Sequence, residues 1–210
     1  MDIIGILVLV ISFFFLLVVG VPVAYSIGVA GILTMLVNID SLPALTTYAM
    51  RMASGLDSFA LLAIPFFILA GNIMNSGGIA LRLIDFAKVL VGRLPGGLAV
   101  VNVVANMLFG AISGSAAAAA SAIGSIMTPE MKKAGYDPNF SAAVNISSAT
   151  TGMTIPPSNV LIVYSLASGG VSVSALFMAG YLPGILTGVA IMIVAAMFAA
   201  RKGDPVGVRV

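Results

Sequence analysis

The residues best suited to bind a ligand lie in Ser147–Asn159, a polar segment with two adjacent prolines. The segment lies within Pro138–Ala200, a stretch that contains no Asp, Glu, Lys, Arg or His. Pro156 and Pro157 have no backbone N–H, so in a helix the carbonyls four residues earlier lose their donors. In hydrocarbon, open backbone is tolerated only where it is buried in protein or lines a wet cavity. The segment therefore predicts a broken helix at a binding site.

The oxygen atoms of this segment are suited to a monovalent cation. The freed carbonyls lie at the negative end of a half-helix, beside the hydroxyls of neighbouring threonines. No carboxylate is nearby, which favours Na⁺ over Ca²⁺ or Mg²⁺. We expect Gly152 to adopt a backbone conformation that lets the helix unwind. The predicted cation ligands in this segment are Thr150, Thr151, Gly152 and Thr154.

A second interruption with the same chemistry is predicted at Ser113-Gly114-Ser115. Ser113 and Gly114 would end one half-helix and Ser115 would begin another, so these three residues join the predicted cation ligands. Half-helices that begin near Ser115 and Ser158 present unpaired N–H groups and a positive dipole end, which suits an anion. The small side chains of Ala116–Ala120 leave room for a ligand to approach. The predicted substrate contacts are Ser115, Ala116, Ser158 and Asn106.

Each of these signals also has a structural interpretation. A Pro-Pro pair in a membrane helix is often a simple kink, and Ser-Gly-Ser by itself indicates tight packing. Small-residue helix contacts without chemistry are predicted at Gly110-x-x-x-Gly114, Gly180-x-x-x-Gly184 and Gly184-x-x-x-Gly188. Hydrogen bonds between helices are expected from Asn72, Asn106 and Asn145, of which Asn106 is expected to approach the interruption at Ser113–Ser115. That interruption, followed by a broken helix, nevertheless favours the ion-site architecture of secondary transporters.

The composition indicates a polytopic membrane protein. Mean hydropathy is +1.19, 60% of the residues are hydrophobic and 8% are charged, against about 25% charged in soluble domains. The absence of Cys and His excludes disulfides and thiolate metal sites and removes the commonest general base. No P-loop motif occurs, and the net charge of +2 does not indicate nucleic-acid binding. We predict no enzyme activity and no cofactor, and the lipid bilayer as surroundings.

Charge-free runs and their interruptions predict an all-α fold. The segment between residues 38 and 57 is mixed in composition and predicts a short interfacial helix. Ile79–Leu94 carries four charged residues on one side, which favours a helix in the interface plane or a solvated amphipathic connector. The predicted membrane spans are Ile3–Val19, Val23–Val37, Phe59–Met74 with a kink at Pro65, and Ser174–Ala200.

Gly96–Ala134 predicts a re-entrant helical hairpin with its tip at Ser113–Ser115. The arm before the tip has ~15 apolar residues, fewer than the ~20 of a comfortable span. The broken helix follows, with its break at Thr150–Pro157. With this topology, all but one of the nine Lys and Arg residues lie in the cytoplasm. This bias predicts an N-terminus outside a bacterial or archaeal cytoplasmic (inner) membrane and a cytoplasmic tail at residues 201–210.

A family resemblance depends on motifs at both interruptions. The longer motifs are Phe109-Gly110-Ala111-Ile112-Ser113-Gly114-Ser115, Ile123-Gly124-Ser125-Ile126-Met127-Thr128-Pro129-Glu130-Met131, Gly135-Tyr136 and Ile155-Pro156-Pro157-Ser158. Ile64–Gly71 and Tyr181–Gly184 fit the same pattern. From end to end, the chain resembles the large membrane subunit of TRAP transporters, the DctM-like family of the ion-transporter superfamily.

The resemblance implies Na⁺-coupled uptake of organic acids (C4-dicarboxylate, sialic acid or keto-acid class) by an elevator movement. It also implies two partners, a small four-helix membrane subunit and a periplasmic substrate-binding protein. The resemblance further implies that the hairpin tip and the unwound helix form the Na⁺ site. By position, its ligands would be Ser113, Gly114, Ser115, Thr150, Thr151, Gly152, Thr154 and Pro156. Residues 1–95 would be scaffold-type helices with Ile79–Leu94 as the arm, and residues 96–200 the transport-type unit.

The chain departs from this family in length. Members are about twice as long and contain a second, inverted repeat, so this chain corresponds to the N-terminal half. A second repeat is then expected in cis or in trans. Two alternatives stay open: half of a Na⁺-coupled anion transporter that works without a binding protein, and a non-transporting scaffold fragment.

Overall fold

The computed structural model describes residues 3–57 and 59–202. Within these ranges the chain forms α-helices joined by short turns, and no strand is present. Contacts divide the chain into two compact units that adjoin in sequence at Ser58 and Phe59. The all-α prediction is confirmed.

The first unit consists of three helices of 16 residues each: α1 (Ile3–Val18), α2 (Val23–Asn38) and α3 (Ser41–Leu56). Helix α1 packs along α2, and Gly5 faces the Asn38 amide. A Cβ on Gly28 would come within 2.8 Å of the Tyr48 hydroxyl, so the missing side chain lets α3 approach α2. Helix α3 is longer than the short interfacial helix predicted there.

The second unit is built around a helical hairpin and an interrupted helix. Helix α4 (Phe59–Ser76) contains Pro65, and α5 (Ile79–Val91) follows a turn at Gly78. The hairpin consists of α6 (Gly97–Ser113) and α7 (Ala116–Lys133). The remaining helices are α8 (Pro138–Ala149), α9 (Thr151–Thr154), α10 (Asn159–Ala167) and α11 (Val173–Lys202).

Helix α6 forms the centre of the second unit. It contacts α4, α5, α7, α8, α9 and α11. Its apolar residues cover most of its circumference, which is the pattern of a helix enclosed by others. Phe109 of α6 belongs to the same buried apolar cluster as Ile123, Met127 and Met131 of α7, and these are among the largest fully buried side chains. The hairpin therefore has the main apolar core, and the interrupted helix packs onto it.

Helix α5 lies against the hairpin through a face of small and aliphatic residues. Ala80, Ile84 and Ala87 are buried, and α5 packs mainly on α6. Lys88 forms an ion pair with Glu130 of α7 at 2.9 Å. Asp85 is exposed, so the charged side of α5 points partly to the surroundings and partly to α7.

One helix among the described residues is both long and apolar enough to cross a bilayer by itself. This is the segment Val173–Arg201 of α11, which has 29 residues. Its apolar 18-residue stretch has a mean hydropathy of 2.2, and 22% of that stretch is buried. Helices α1, α2 and α6 are shorter apolar helices. The first interruption lies at the predicted tip, and the second overlaps the predicted Thr150–Pro157. Of the predicted tail, only Arg201 and Lys202 lie within the described residues.

Candidate functional site

The hairpin tip is a two-residue connection closed by local hydrogen bonds. Gly114 has a φ of 62° and donates its N–H to the Gly110 carbonyl at 2.7 Å. The left-handed conformation is one that glycine adopts at low cost, which explains why the first arm ends here. Ser115 caps α7, since its hydroxyl accepts a hydrogen bond from the Ala118 N–H at 3.3 Å.

The interrupted helix opens over fewer residues than predicted. Helix α8 ends at Ala149, and one further turn, α9, runs to Thr154. Ile155 is then extended, and its N–H donates to the Thr151 carbonyl at 2.8 Å. The Pro156–Pro157 peptide bond is cis. Ser158 caps α10, so the open backbone runs from residue 155 to residue 158.

The two interruptions touch each other. A Cβ built on Gly114 would lie 2.9 Å from the Pro157 carbonyl oxygen and 3.5 Å from the Ser158 Cα. It would also lie 3.3 Å from the Asn159 N atom. The backbone of the tip is therefore in direct contact with the backbone of the break. This contact places Gly114 of the tip beside the end of the break, at Pro157 and Ser158.

Gly152 has a different role from the one predicted. It lies in the helical turn of α9 and has no positive φ, so it does not unwind the chain. It is buried against Gly110 of α6, and a Cβ on Gly152 would come within 2.6 Å of the Gly110 Cα. Glycine is needed here because two helix backbones approach without space for a methyl group.

The carbonyls expected to be free behave differently from each other. The residue four positions after Gly152 is Pro156, so the Gly152 carbonyl has no helical donor. The Met153 carbonyl likewise cannot be reached by Pro157, but it accepts a hydrogen bond from the Ser158 hydroxyl. The prediction of two freed carbonyls was wrong for Met153, because a side chain replaces the missing backbone donor.

The threonine hydroxyls of the break donate back into their own helix. The Thr150 hydroxyl is exposed and donates to the Ser147 carbonyl at 2.7 Å. The Thr151 hydroxyl is buried and donates to the Ser148 carbonyl at 2.6 Å. Each hydroxyl oxygen keeps lone pairs that could face a cation. Thr151 is the threonine of this pair that is enclosed by protein.

Three other predicted cation ligands are packed against helices α4 and α11. Ser113 is buried, and its Cβ lies 3.4 Å from the position of a Cβ on Gly71 of α4. A Cβ on Gly180 of α11 would lie 2.6 Å from the Thr154 carbonyl oxygen and 3.4 Å from the Pro156 Cγ. The glycine pattern of α11 thus serves close packing over the break, as predicted.

The predicted substrate contacts divide into two pairs. Ser115 and Ala116 are half-buried at the tip. Ser158 is fully buried, and its hydroxyl donates to the Met153 carbonyl and accepts from the Leu161 N–H. Asn106 is fully buried and forms hydrogen bonds to α8, the interhelical role predicted for it. The Ser158 hydroxyl and the Asn106 Nδ2 atom are therefore occupied by protein.

Sequence reasoning missed Gly110 and Gly71 as parts of the site. Gly110 faces Gly152, and Gly71 faces Ser113. Gly110-x-x-x-Gly114 signals a close helix contact, but nothing in the spacing identifies its partner. Among the described residues, no group of acidic, His or Cys side chains can hold a metal ion. Any cation here would be bound by neutral oxygen atoms.

Sequence comparison places the chain in a family of transporter components. Residues 10–209 match the DctM component of the tripartite ATP-independent periplasmic transporters. The uncharacterized protein YgiK of Salmonella typhimurium is 58% identical over 199 residues, which are 95% of this chain and 46% of YgiK.

Relatives with assigned roles are similar over nearly the same region. The C4-dicarboxylate TRAP transporter large permease protein DctM of Vibrio cholerae is 44% identical over 90% of this chain and 42% of its own length. The sialic acid TRAP transporter large permease protein SiaM of Vibrio cholerae is 39% identical over 90% and 43% respectively. Both are named as permeases rather than enzymes, and this chain spans less than half of each. The chain belongs to the DctM component family of the tripartite ATP-independent periplasmic transporters.

Proposed function

We propose that the chain is the N-terminal part of the permease subunit of a TRAP-type secondary transporter, which takes up organic acids together with Na⁺. The observation that carries this proposal is the contact of Gly114 with Pro157 and Ser158. Two helix interruptions that meet in backbone contact supply carbonyls, hydroxyls and half-helix ends in one place. In a membrane, this is the arrangement by which secondary transporters bind coupling ions.

The Na⁺ ligands would come from both interruptions. The Gly152 carbonyl lacks a helical donor, and the hydroxyl of the preceding residue, Thr151, is buried. The tip supplies Ser113, Gly114 and Ser115. These neutral oxygen donors suit a monovalent cation, which needs less charge compensation than Ca²⁺ or Mg²⁺. A cation held by both interruptions would favour their contact, and this links ion binding to the conformation of the site.

The substrate would be an organic anion near the half-helix starts. Relatives are named for C4-dicarboxylate, sialic acid, isethionate and 2,3-diketo-L-gulonate. Ser115 and Ala116 begin a helix of 18 residues, whose N–H groups and dipole favour an anion. A bound cation would lower the free-energy cost of bringing that anion into a site without charged side chains.

The wider architecture is part of the same proposal. The hairpin α6–α7 would be re-entrant, residues 1–95 would act as scaffold with α5 as the arm, and residues 96–200 would move as an elevator. The N-terminus would lie outside the inner membrane and residues 201–210 in the cytoplasm. A small four-helix subunit, a periplasmic substrate-binding protein and a second repeat would complete the transporter.

Na⁺-dependent thermal stabilisation of the purified chain tests this function. The midpoint of unfolding should rise as Na⁺ replaces K⁺ at constant ionic strength, because a ligand that binds only the folded state stabilises it. Thr151→Ala should abolish the rise. Thr187→Ala is the matched control, since this exposed hydroxyl donates to the Pro183 carbonyl at 2.7 Å on α11.

The experiment is carried out with the chain alone and with a candidate second repeat. A rise that depends on Thr151 and is unaffected by the change at Thr187 supports a cation site at the break. The absence of any Na⁺ response in both preparations would overturn the proposed ion coupling and favour a scaffold that does not transport.

A further inference from the structure

A cluster of buried polar side chains lies about two to three helical turns along the chain from the contact between tip and break. It consists of Asn102 and Asn106 of α6 and Asn145 and Ser148 of α8, and we call it the amide cluster. The four residues are between 0% and 7% exposed. The Asn106 Nδ2 atom lies 3.1 Å from Asn145 Oδ1 and 3.0 Å from Ser148 Oγ. The cluster therefore joins the first hairpin arm to the first part of the interrupted helix.

The direction of the hydrogen bonds is set by groups at the edge of the cluster. The Asn145 Nδ2 donates to the Ala120 carbonyl of α7 at 2.9 Å, so Asn145 presents its Oδ1 to Asn106. The Ser148 hydroxyl donates to the Val144 carbonyl at 2.7 Å, so its oxygen can only accept from Asn106. Both α8 partners thus offer lone pairs, and Asn106 must supply the hydrogen atoms.

Asn106 is the donor at the centre of four oxygen atoms. Besides the two acceptors of α8, the Asn102 Oδ1 lies at 2.7 Å and the Asn102 carbonyl at 3.1 Å from the same Nδ2 atom. The Asn106 Oδ1 is buried and has no hydrogen-bond partner among the described residues. An amide nitrogen fits this environment, whereas a carboxylate would place negative charge against several lone pairs.

The cluster is connected by short steps to the candidate site. Asn106 lies one turn before Gly110, which packs on Gly152. The carbonyl of Ser148 accepts the hydrogen bond of the Thr151 hydroxyl, the enclosed threonine of the break. A displacement of α8 relative to α6 would therefore change the position of Thr151 and the contact between the two glycines.

We propose that Asn106 is a positioning residue for the cation site: it fixes α8 on the hairpin so that the break keeps its place beside the tip. This inference deepens the proposed function and depends on it for the role in ion binding. Asn106 acts through Ser148 and Asn145, and it does not touch the ion. The effect of its loss is expected at the break and the tip, two turns away from the substituted side chain.

Two variants and one matched control test the proposal. Asn106→Asp keeps the size of the side chain and replaces the amide NH₂ donor by a carboxyl oxygen. Ser148→Ala removes one acceptor with the smallest change in volume. Ser147→Ala is the control, because the adjacent hydroxyl makes the same kind of bond to the Ala143 carbonyl at 2.6 Å but is exposed and lies outside the amide cluster. If Asn106→Asp does not fold, the comparison of Ser148→Ala with Ser147→Ala still tests whether the amide cluster positions the break.

The first measurement is backbone hydrogen exchange of the purified chain. Ser148→Ala and Asn106→Asp should accelerate exchange at residues 151–155 and at Gly114 by on the order of tenfold, the factor expected for loss of a buried hydrogen bond. Exchange at residues 185–195 of α11 should stay unchanged. Equal exchange at the break in Ser148→Ala and Ser147→Ala would overturn the positioning role.

The second measurement is the Na⁺ concentration at half-maximal stabilisation. It should rise at least severalfold in Ser148→Ala, while the unfolding midpoint without Na⁺ stays close to that of Ser147→Ala. A lower midpoint with an unchanged Na⁺ requirement would mean that the cluster stabilises the fold only. If the wild-type chain shows no Na⁺ response, the proposed function fails, and the exchange experiment still decides whether Asn106 positions the break.

Discussion

The Ser158 hydroxyl donates a hydrogen bond to the Met153 carbonyl, across the two prolines of the break. Pro157 occupies the position from which a helical N–H would reach that carbonyl, and it has no N–H. The same hydroxyl accepts from the Leu161 N–H and so caps α10. One side chain thus ends the first part of the interrupted helix and begins the second, and this holds the open backbone in a defined form.

Ser158→Ala should destabilise the protein by about 1–3 kcal/mol, because it removes a cap and leaves a carbonyl without its donor. Ser158→Thr keeps the hydroxyl and should retain much of the stability. The measurement is the unfolding midpoint in detergent, with Ser168→Ala as control, since Ser168 is exposed and donates locally to the Ser165 carbonyl at 3.2 Å. Equal effects of Ser158→Ala and Ser168→Ala would contradict the role of Ser158.

Gly152→Ala should destabilise the second unit through a direct clash. The added methyl group would come within 2.6 Å of the Gly110 Cα, a backbone atom that moves only with its helix. Such overpacking costs about 1–3 kcal/mol. The control is Gly55→Ala in α3, where nothing lies within 4 Å of an added Cβ and the substitution should be neutral or stabilising by up to ~1 kcal/mol. Unfolding midpoints that fall equally in both variants would exclude the close contact.

The Lys88–Glu130 pair should couple α5 to the second hairpin arm. The pair is separated by 2.9 Å, and the Lys88 side chain is 19% exposed. A double-mutant cycle with Lys88→Met and Glu130→Gln should give a coupling free energy of about 0.5–1 kcal/mol that decreases as salt increases. Asp85→Asn is the control, because Asp85 is 73% exposed and its contact with Lys88 is longer, at 3.8 Å. A coupling that salt leaves unchanged would argue against a solvent-accessible ion pair.

The positions of the helices could be predicted because local residues set them. Gly114 ends α6, Ser115 begins α7 and the prolines open the interrupted helix, and each of these effects acts within a few residues. The helix in the mixed segment before Asp57 is longer than predicted, since α3 extends through the charged and polar positions of that segment. Helix propensity within such a segment is a weak signal, and packing on α2 completes the helix.

The contacts of the site could not be predicted to the same degree. A glycine at position 152 is compatible with an unwound backbone and with a close helix contact, and only the presence of Gly110 opposite it decides between them. Asn106 was predicted to form interhelical bonds, but its partners Asn145 and Ser148 depend on how α6 and α8 are rotated. The pattern of a single sequence indicates which face of a helix is buried. It does not indicate how two helices are aligned and rotated relative to each other.

Tyr136→Phe should loosen the base of the hairpin. The Tyr136 hydroxyl is buried and donates to the Gly96 carbonyl at 3.1 Å, so it joins the residues that precede α6 to those that follow α7. Loss of this bond should cost about 1 kcal/mol, although the Gly96 carbonyl keeps the hydrogen bond from the Ala99 N–H at 2.8 Å. The measurement is the unfolding midpoint together with hydrogen exchange at the start of α6. Tyr164→Phe is the control, because Tyr164 is 56% exposed, and it should change neither quantity. Faster exchange at Gly97–Val100 in Tyr136→Phe alone is the expected result, and identical exchange in the two variants would show that the hydroxyl does not fix the base.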